Sequence, residues 1–261
     1  MQLPFYKYQG TGNDFVMVDN RQEKFPDRDK AYITFLCDRR LGIGADGLIL
    51  LQDDDAVDFN MVYFNSDGNE STMCGNGGRC LVAFAKQLGI IENTAIFTAI
   101  DGLHTATIDA NNSVRLQMQD VSEIREKPDY IFLDTGSPHH VQLVHDLETF
   151  DVAKEGAKLR YGMYGAKGSN INFVEQKSDK VFRVRTYERG VEDETLSCGT
   201  GVTAVALAMY HSKKSVSKSI ILQAEGGNLE VEFDPSNGSY NHVFLSGPTE
   251  LVFKGNVECK N

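Results

Sequence analysis

Apolar and polar positions alternate along much of the chain in short runs bounded by turn residues. Runs rich in Val, Ile, Phe and Tyr are typical of β-strands. They read NDFVMVDN, GLILLQ, FNMVYFN, AIFTAI and SVRLQMQ. Two longer segments, GRCLVAFAKQLG and GVTAVALAMYHSKK, are apolar on nearly every side of a helix. Such a helix is buried all round, so the pattern predicts two helices that lie inside a sheet rather than on one face of it.

The sequence also matches itself when one copy is shifted by 124 residues. The segment MVYFNSDGNESTMCGNG (61–77) aligns without a gap with RTYERGVEDETLSCGTG (185–201), so that Cys74 lies opposite Cys198. Three further landmarks fall in the same frame: TGND with TGSP, Gly44 with Gly168, and Asp101 with Glu225. Separated matches in one frame predict an internal duplication.

The duplication predicts the domain organisation. We expect an α/β (α+β) fold of two pseudo-symmetric domains, each a mostly antiparallel or mixed sheet wrapped around a central apolar helix. Residues 1–118, joined by a returning C-terminal strand at about 250–261, form the first domain, and residues 119–249 form the second. The polar stretch 119–129 is the predicted linker. A length of 261 residues is sufficient for two such domains.

Composition and charge narrow the classes of function. The chain is 41% apolar and 24% charged, as in ordinary globular proteins. Its formal net charge of -11 includes no basic stripe, so nucleic acids and anionic membrane surfaces are disfavoured partners. The N-terminal MQLPFYKYQG lacks a signal-peptide pattern, and no apolar run reaches the roughly 18 residues of a spanning helix. We therefore expect a cytoplasmic protein without nucleic-acid or membrane partners.

The five cysteines do not form a disulfide framework, because their number is odd and they are scattered over a long chain. No CxxC or HExxH spacing indicates a metal site. We expect reduced thiols and no bound metal. Cysteine is among the most buried residue types, so Cys37, Cys80 and Cys259 are interpreted as structural, with Cys259 close enough to the chain end to be exposed.

Cys74 and Cys198 differ from the others because each precedes the first turn of a predicted helix. The unpaired N–H groups and positive dipole there favour the thiolate of a group whose ordinary pKa is about 8.5. The glycines that follow let backbone amides approach a carboxylate. If the two halves face each other about a pseudo-twofold axis, one cysteine can remove a proton from a carbon while the other protonates its opposite side. Such an inversion requires no cofactor.

The motifs GTGNDFV, GADGLILL, YFNSDGN, CGNGGRC, TGSPHHV, GSNINFV, YERG and SCGTG follow one another over residues 10–201. In this order they resemble the diaminopimelate epimerase family. The resemblance implies two similar α/β domains and a cofactor-independent isomerase. It would interconvert LL- and meso-2,6-diaminopimelate by two-base thiolate/thiol proton transfer at the α-carbon, in lysine and peptidoglycan precursor synthesis.

The resemblance also implies roles for individual residues. Cys74 and Cys198 would be the catalytic acid and base. The substrate would be held by Asn13, Asn65, Gly75, Asn76, Asn170, Glu188, Arg189, Gly199 and Thr200, with the reacting carboxylate at the amides of Gly75, Asn76, Gly199 and Thr200. His139 and Glu188 would modulate the cysteine pKa values.

Two positions depart from the pattern of the family, which often has Gln at Gly47 and Asn at Ser137. Each change removes an amide that would contact the distal end of the substrate, so the substrate could differ or water could replace the amide.

Simpler interpretations stand beside these roles. The asparagines could be turn residues that bond their own backbone. Glu188 and Arg189 could form a surface ion pair, and His139 could be a loop residue.

Two other functions remain open at this stage. One is a two-cysteine racemase or epimerase of another amino acid, of the proline or hydroxyproline type, on the same fold. The other is a non-enzymatic redox switch in which Cys74 and Cys198 form a regulatory disulfide. For the diaminopimelate epimerase and for the racemase alternative, the expected partner is a small-molecule amino-acid substrate. A homodimer is compatible with the sequence, which does not fix the oligomeric state.

Overall fold

The computed structural model describes residues 2–26 and 29–258, which form seventeen strands and four α-helices. In the N-terminal half the elements are β1 (Gln2–Gly10), β2 (Asn13–Asp19), α1 (Lys30–Cys37), β3 (Gly47–Gln52), β4 (Phe59–Asn65), α2 (Gly75–Gln87), β5 (Thr94–Ala99), β6 (Gly102–Ile108) and β7 (Ser113–Gln117). They are followed by β8 (Ile124–Glu126), β9 (Ile131–Asp134), β10 (Pro138–Leu143), α3 (Val152–Tyr164), β11 (Asn170–Gln176), β12 (Val181–Glu188), β13 (Asp193–Thr195), α4 (Gly199–His211), β14 (Ser219–Ala224), β15 (Gly227–Ser236), β16 (Ser239–Pro248) and β17 (Glu250–Glu258). A short 3-10 helix, Leu147–Thr149, precedes α3.

The chain divides into two compact units. The first comprises Met1–Leu116 with Pro248–Asn261, and the second comprises Gln117–Gly247. The last strand, β17, pairs antiparallel with β1 and so belongs to the first unit.

Strand pairing follows one order in both units. In the first unit, neighbouring strands are β17, β1, β2, β3, β4, β5, β6 and β7. In the second they are β8, β9, β10, β11, β12, β14, β15 and β16, with β13 added beside β12. The third and fifth pairs of each series are parallel and the other pairs are antiparallel. The predicted α+β fold of two repeated domains is confirmed.

Each unit buries one long helix against its sheet, α2 in the first and α4 in the second. Every residue from Gly75 to Ala85 is buried, as is every residue from Gly199 to Met209 except Thr200. The first helix contacts β1 to β4 and β6, and the second contacts β9 to β12, β14 and β15. Both helices have 13 residues and start at the same point of the repeat. The all-round apolar pattern therefore predicted their burial correctly.

The sequence pattern did not predict α1 and α3. Each begins after an aspartate whose carboxylate accepts a backbone hydrogen bond: Asp29 from Tyr32 at 3.0 Å, and Asp151 from Lys154 at 3.1 Å. The helix α1 has only 8 residues, and only three of the 13 residues in α3 are buried, so neither has a long apolar stripe. None of the helices in the described part of the chain is long and apolar enough to cross a membrane.

The predicted linker at 119–129 was wrong in part, because this polar stretch contains structure. It contains β8, which pairs with β9, and Val121, which forms a bridge with Tyr240. In the strand order, β8 has the same place in the second unit that β17 has in the first. Its exposed, charged side chains hide the strand from a search for apolar alternation.

Candidate active site

The two cysteines of the repeat occupy the same place in their units. Cys74 immediately precedes α2 and Cys198 immediately precedes α4, and both have extended backbone conformations. Neither cysteine side chain makes a capping hydrogen bond to its helix. The first N–H groups of a helix have no acceptor within the helix, so both cysteines lie beside donors that suit an anion.

In the first unit, asparagine side chains link Cys74 to a carboxylate. The thiol of Cys74 donates to Asn13 Oδ1 at 3.6 Å, and Asn76 Nδ2 donates to the same oxygen at 3.2 Å. Asn13 Nδ2 donates to Asp46 Oδ2 at 2.7 Å. Because a carboxylate only accepts, the amide nitrogen of Asn13 must face Asp46, and its oxygen must face Cys74. The predicted residues Asn13, Cys74 and Asn76 are therefore in direct contact.

Behind Asn13, a cluster of charges fixes the position of Asp46. Arg39 pairs with Asp46 at 2.8 Å and with Asp14 at 2.7 Å, and Lys7 pairs with Asp14 at 2.7 Å. Burial alone would raise the pKa of Asp14, but hydrogen bonds from Arg39 and Lys7 lower it to about 2. Asp14 therefore stays ionised near neutral pH.

Sequence reasoning missed Arg79, although it lies within the CGNGGRC motif. Its side chain is fully buried, and Nη1 donates to Asn76 Oδ1 at 3.0 Å and to the Gly75 carbonyl at 3.3 Å. Burial lowers the pKa of Arg79 to about 10, while Cys80 and Cys74 act in the opposite direction. No carboxylate among the described residues forms an ion pair with it. The sequence signal was available, since an arginine within a segment predicted to be buried requires an explanation.

The other predicted structural cysteines have no part in this arrangement. Cys37 and Cys80 are both buried, and burial raises the pKa of each thiol to about 12. Both are therefore protonated at neutral pH. Cys259 lies outside the described residues.

In the second unit, hydroxyl groups surround Cys198. Its sulfur lies 3.5 Å from Thr200 Oγ1, which lies 3.2 Å from Ser137 Oγ. Ser137 Oγ is in turn 3.0 Å from Nε2 of His139. Burial, with the charge of Arg189 as a second cause, lowers the pKa of His139 to about 3, so this histidine is neutral at physiological pH.

Three more predicted residues lie close to this hydroxyl cluster. Asn170 is buried beside β10, and its Nδ2 donates to Ser137 Oγ at 3.1 Å. Its Oδ1 accepts from the backbone N–H of Arg189 at 2.9 Å. Glu188 accepts from the Thr195 hydroxyl at 2.9 Å, and Arg189 Nη1 donates to the Lys167 carbonyl at 3.1 Å. The described residues contain no direct ion pair between Glu188 and Arg189.

Asn65 ends β4 and begins a turn in which its backbone groups form hydrogen bonds. The N–H of Asn65 donates to the Asn69 carbonyl at 3.0 Å, and the N–H of Gly68 donates to the Asn65 carbonyl at 2.9 Å. Gly47, the first residue of the neighbouring strand β3, pairs with Asn65. A Cβ on Gly47 would lie 2.5 Å from both Tyr63 Cε2 and the Phe64 carbonyl oxygen. Tyr63 therefore occupies the space that a glutamine at position 47 would need.

The two departures from the family pattern thus have different structural settings. At Gly47, an aromatic ring fills the space of the expected side chain. At Ser137, the shorter side chain is the centre of three hydrogen bonds, to His139, Asn170 and Thr200. Within residues 2–26 and 29–258, no group of three or more His, Cys, Asp or Glu side chains lies close enough together to hold a metal ion.

Solved structures with the same fold have little sequence in common with this chain. A phenazine biosynthesis protein of the PhzF family from Bacillus anthracis superposes with a TM-score of 0.81 over 99% of this chain and 100% of its own, at 12% identity. A hydroxyproline epimerase from Agrobacterium vitis, with trans-4-hydroxy-L-proline bound, gives 0.73 over 98% and 92%, at 14% identity. The chain therefore has the fold of these PhzF-like and hydroxyproline epimerase structures.

Sequence comparison gives the family within that fold class. The family model for diaminopimelate epimerase matches residues 5–124 and 131–252. The diaminopimelate epimerase of Flavobacterium psychrophilum is 59% identical over 256 residues, 98% of this chain and 100% of that protein. That of Chlorobaculum tepidum is 40% identical over 257 residues, 95% and 98% of the two chains. The chain belongs to the diaminopimelate epimerase family.

Proposed function

We propose that this protein interconverts LL- and meso-2,6-diaminopimelate by moving a proton at one α-carbon, with Cys74 and Cys198 as the two proton-exchanging groups. The observation that carries the proposal is the paired placement of these thiols. Each stands at the first turn of a buried 13-residue helix at the same point of the repeat, in a chain of the diaminopimelate epimerase family.

The proposed chemistry needs a base and an acid on opposite sides of one carbon. A thiolate takes the α-proton while a thiol delivers another proton to the opposite side, and the reverse reaction exchanges the two roles. The negative charge that develops on the α-carboxylate would be stabilised by amides of Gly75, Asn76, Gly199 and Thr200, which lie in the first turns of α2 and α4. The proposed reaction uses no cofactor.

The remainder of the substrate would be held by charged and amide side chains. Glu188 suits an ammonium group and Arg189 suits the distal carboxylate, because guanidinium and carboxylate form paired hydrogen bonds. The amides of Asn13, Asn65 and Asn170 would complete the contacts.

We further propose a cytoplasmic enzyme of lysine and peptidoglycan precursor synthesis. The homodimer stays a prediction.

Exchange with heavy water tests the proposed function. The reduced protein is incubated in heavy water with LL- or meso-diaminopimelate and without pyridoxal phosphate, and α-deuterium is measured by mass spectrometry. We expect deuterium in either isomer.

A panel of other amino acids separates the alternatives. Exchange only with proline or hydroxyproline would contradict the proposal and support the racemase alternative. No exchange with any amino acid would leave the redox switch.

A further inference from the structure

Five side chains around Cys198 form a hydrogen-bonded network in which each donor and acceptor can be assigned. They are Ser137, His139, Asn170, Asn172 and Thr200. Hydrogen atoms are assigned from such networks, so groups that can only donate or only accept decide the rest. Two backbone groups of this kind lie at the ends of the network.

The first fixed point is Asn172, which is fully buried on β11. Its Nδ2 lies 3.0 Å from the His140 carbonyl, and its Oδ1 accepts from the Thr186 hydroxyl at 3.0 Å. The carbonyl can only accept, so Nδ2 is the amide nitrogen. Its second hydrogen points to His139 Nδ1 at 3.2 Å. Since His139 is neutral and Nδ1 accepts, its ring proton is on Nε2.

The second fixed point is Asn170. The backbone N–H of Arg189 can only donate, and it lies 2.9 Å from Asn170 Oδ1. The Asn170 nitrogen therefore faces Ser137 Oγ at 3.1 Å and donates to it. His139 Nε2 donates to the same oxygen at 3.0 Å.

Ser137 Oγ has two acceptor sites, and these two donors occupy both. Its own hydrogen must therefore point to another acceptor, and Thr200 Oγ1 lies 3.2 Å away. With Ser137 as the donor, the Thr200 hydroxyl is able to direct its own hydrogen to Cys198 Sγ at 3.5 Å. The hydrogen bonds therefore all point in one direction, from the His139 ring through Ser137 and Thr200 to the Cys198 sulfur.

We propose that Ser137 is a positioning residue that orients the Thr200 hydroxyl as a donor to Cys198 and thereby stabilises Cys198 as the thiolate. A thiolate accepts hydrogen bonds, whereas a thiol competes to donate its own, so a donor directed at the sulfur favours the ionised form. The proposal rests on the proposed role of Cys198 in proton transfer. It gives a function to Ser137, one of the two positions at which the protein departs from the family pattern.

Other charged groups on the elements that pack against α4 do not replace this donor. His139 is neutral, Glu188 accepts from Thr195, and Arg189, which directly follows β12, donates to the Lys167 carbonyl. The remaining charged or titratable side chains of these strands are Asp134 on β9, His140 on β10, Glu175 on β11, Arg183, Arg185 and Tyr187 on β12, and Glu230, Glu232 and Asp234 on β15. The strand β14 contributes none.

Alkylation of Cys198 tests the proposal without any substrate. In a Cys74→Ala background, the rate of iodoacetamide modification of Cys198 is measured from pH 5 to 10 by peptide mass spectrometry. We expect Ser137→Ala to slow modification at neutral pH roughly fivefold, the effect of one ordinary hydrogen bond, and to move the midpoint to higher pH. Ser137→Thr retains the hydroxyl and should restore most of the rate.

Two further variants distinguish the loss of the hydrogen bonds that lead to Cys198 from a non-specific structural effect of substitution. Thr200→Val should slow modification as Ser137→Ala does, and the double variant should be no slower than either one, because both remove the same donor. Ser169→Ala is the matched control, since this buried hydroxyl donates to the backbone carbonyls of Pro138 at 3.0 Å and Asn170 at 3.1 Å rather than to a side chain of the network. An unchanged midpoint in Ser137→Ala or Thr200→Val, or an equal shift in Ser169→Ala, would overturn the proposal.

These results are independent of the proposed activity. A protein that shows the expected alkylation pattern and no deuterium exchange would keep this inference and lose the proposed function. A protein that exchanges deuterium with an unchanged alkylation pattern would do the reverse.

Discussion

The surroundings of Cys74 and Cys198 differ, although the helices that follow them are built alike. Cys74 contacts a chain of amides whose two ends are charged, Asp46 beyond Asn13 and Arg79 beyond Asn76. Cys198 contacts a chain of neutral groups that runs through two hydroxyls to an uncharged histidine. The duplication therefore preserved the scaffold, while the side chains around each thiol diverged.

The clearest divergence is one turn into each helix. In the repeat frame, Arg79 of α2 corresponds to Thr203 of α4. Both side chains are fully buried, but Arg79 carries a charge, whereas the Thr203 hydroxyl donates to the Gly199 carbonyl at 2.9 Å. In the proposed mechanism, the acid and the base would therefore be two thiols in different environments.

The two thiols also meet opposite hydrogen-bonding groups. Asn13 presents an acceptor oxygen, which favours the thiol form of Cys74, while Thr200 in our proposal presents a donor to Cys198. The positive charge of Arg79 acts against Asn13, because it attracts the Cys74 thiolate. Asn13 and Arg79 therefore act on Cys74 in opposite directions, the first towards the thiol and the second towards the thiolate.

Removing either thiol should have the largest effect. Cys74→Ala and Cys198→Ala are each expected to lower the epimerisation rate about a thousandfold or more, because each removes the proton exchange on one side of the α-carbon. The measurement is the rate of interconversion of LL- and meso-diaminopimelate. Near-normal epimerisation in either variant would show that the two positions are not an acid and base pair.

The matched control for the cysteine variants lies in the same helix. Cys80 is fully buried, and its counterpart in the repeat is Ala204. Cys80→Ala should retain activity and lower the free energy of unfolding by about 1 kcal/mol, since it removes one buried sulfur atom.

Removing the buried charge should have the next largest effect. In a Cys198→Ala background, Arg79→Met is expected to slow iodoacetamide modification of Cys74 at neutral pH by roughly tenfold, because it removes a nearby cation at low dielectric. Arg79→Lys keeps the charge and should retain more of the rate.

The control uses the other half of the repeat. Thr203→Val, in a Cys74→Ala background, should leave the alkylation of Cys198 unchanged, since no charge is lost there. If Arg79→Met left the pH midpoint of Cys74 unaltered, the electrostatic difference between the two halves would have no effect on the thiols.

His139 of the second unit and Asp14 of the first should contribute to stability in different pH ranges. His139 has a folded pKa of about 3 against an ordinary 6.5, so the unfolded chain binds the proton first as the pH falls. The free energy of unfolding should then decrease below pH 6.5, by up to about 1.4 kcal/mol per pH unit. The contribution of Asp14 is present above pH 3.8 and is lost only as the pH falls towards about 2.

Denaturant unfolding of His139→Gln at pH 7.5 and pH 5 measures the first of these contributions. The variant should lose less stability between the two pH values than the parent protein loses. Substitution of the exposed His242 by Gln is the control. An equal loss in His139→Gln and the parent would mean that His139 does not produce the acid sensitivity.

Much of the fold was predictable because it is repeated and strongly apolar. The 124-residue frame located both buried helices, and runs such as GLILLQ and FNMVYFN became β3 and β4. The helices α1 and α3 and the strand β8 were missed, since tertiary packing rather than a long apolar pattern stabilises them. The strand β8 is short and polar, so only its pairing with β9 identifies it as a strand.

Several residues of the candidate site that the sequence predicted lie together in the structure, but their hydrogen-bond partners were not predicted. Asn13, Cys74 and Asn76 come together as a contact set, and so do Asn170, His139 and Thr200 around Ser137. Arg79 and Asn172 were missed because their importance depends on burial and hydrogen bonds, which the sequence does not display. The sequence indicated only that Ser137 lacks the amide of the asparagine common in the family. The structure shows that its hydroxyl contacts three groups.

In the proposed mechanism, two different thiols exchange protons with one α-carbon. The origin of the α-hydrogen in the product distinguishes this mechanism from one with a single proton-transferring group. LL-diaminopimelate with ordinary hydrogen is converted in heavy water, and the first meso product and the unconverted substrate are analysed separately. The thiol that protonates the carbon carries deuterium from solvent before the substrate binds. The cysteine that removes the α-proton can only return that same proton while the substrate stays bound. The proposed mechanism therefore predicts one deuterium at the inverted carbon of the product and none in the substrate. A first product that keeps the original α-hydrogen would contradict the account, because a single group would then have removed and returned the same proton.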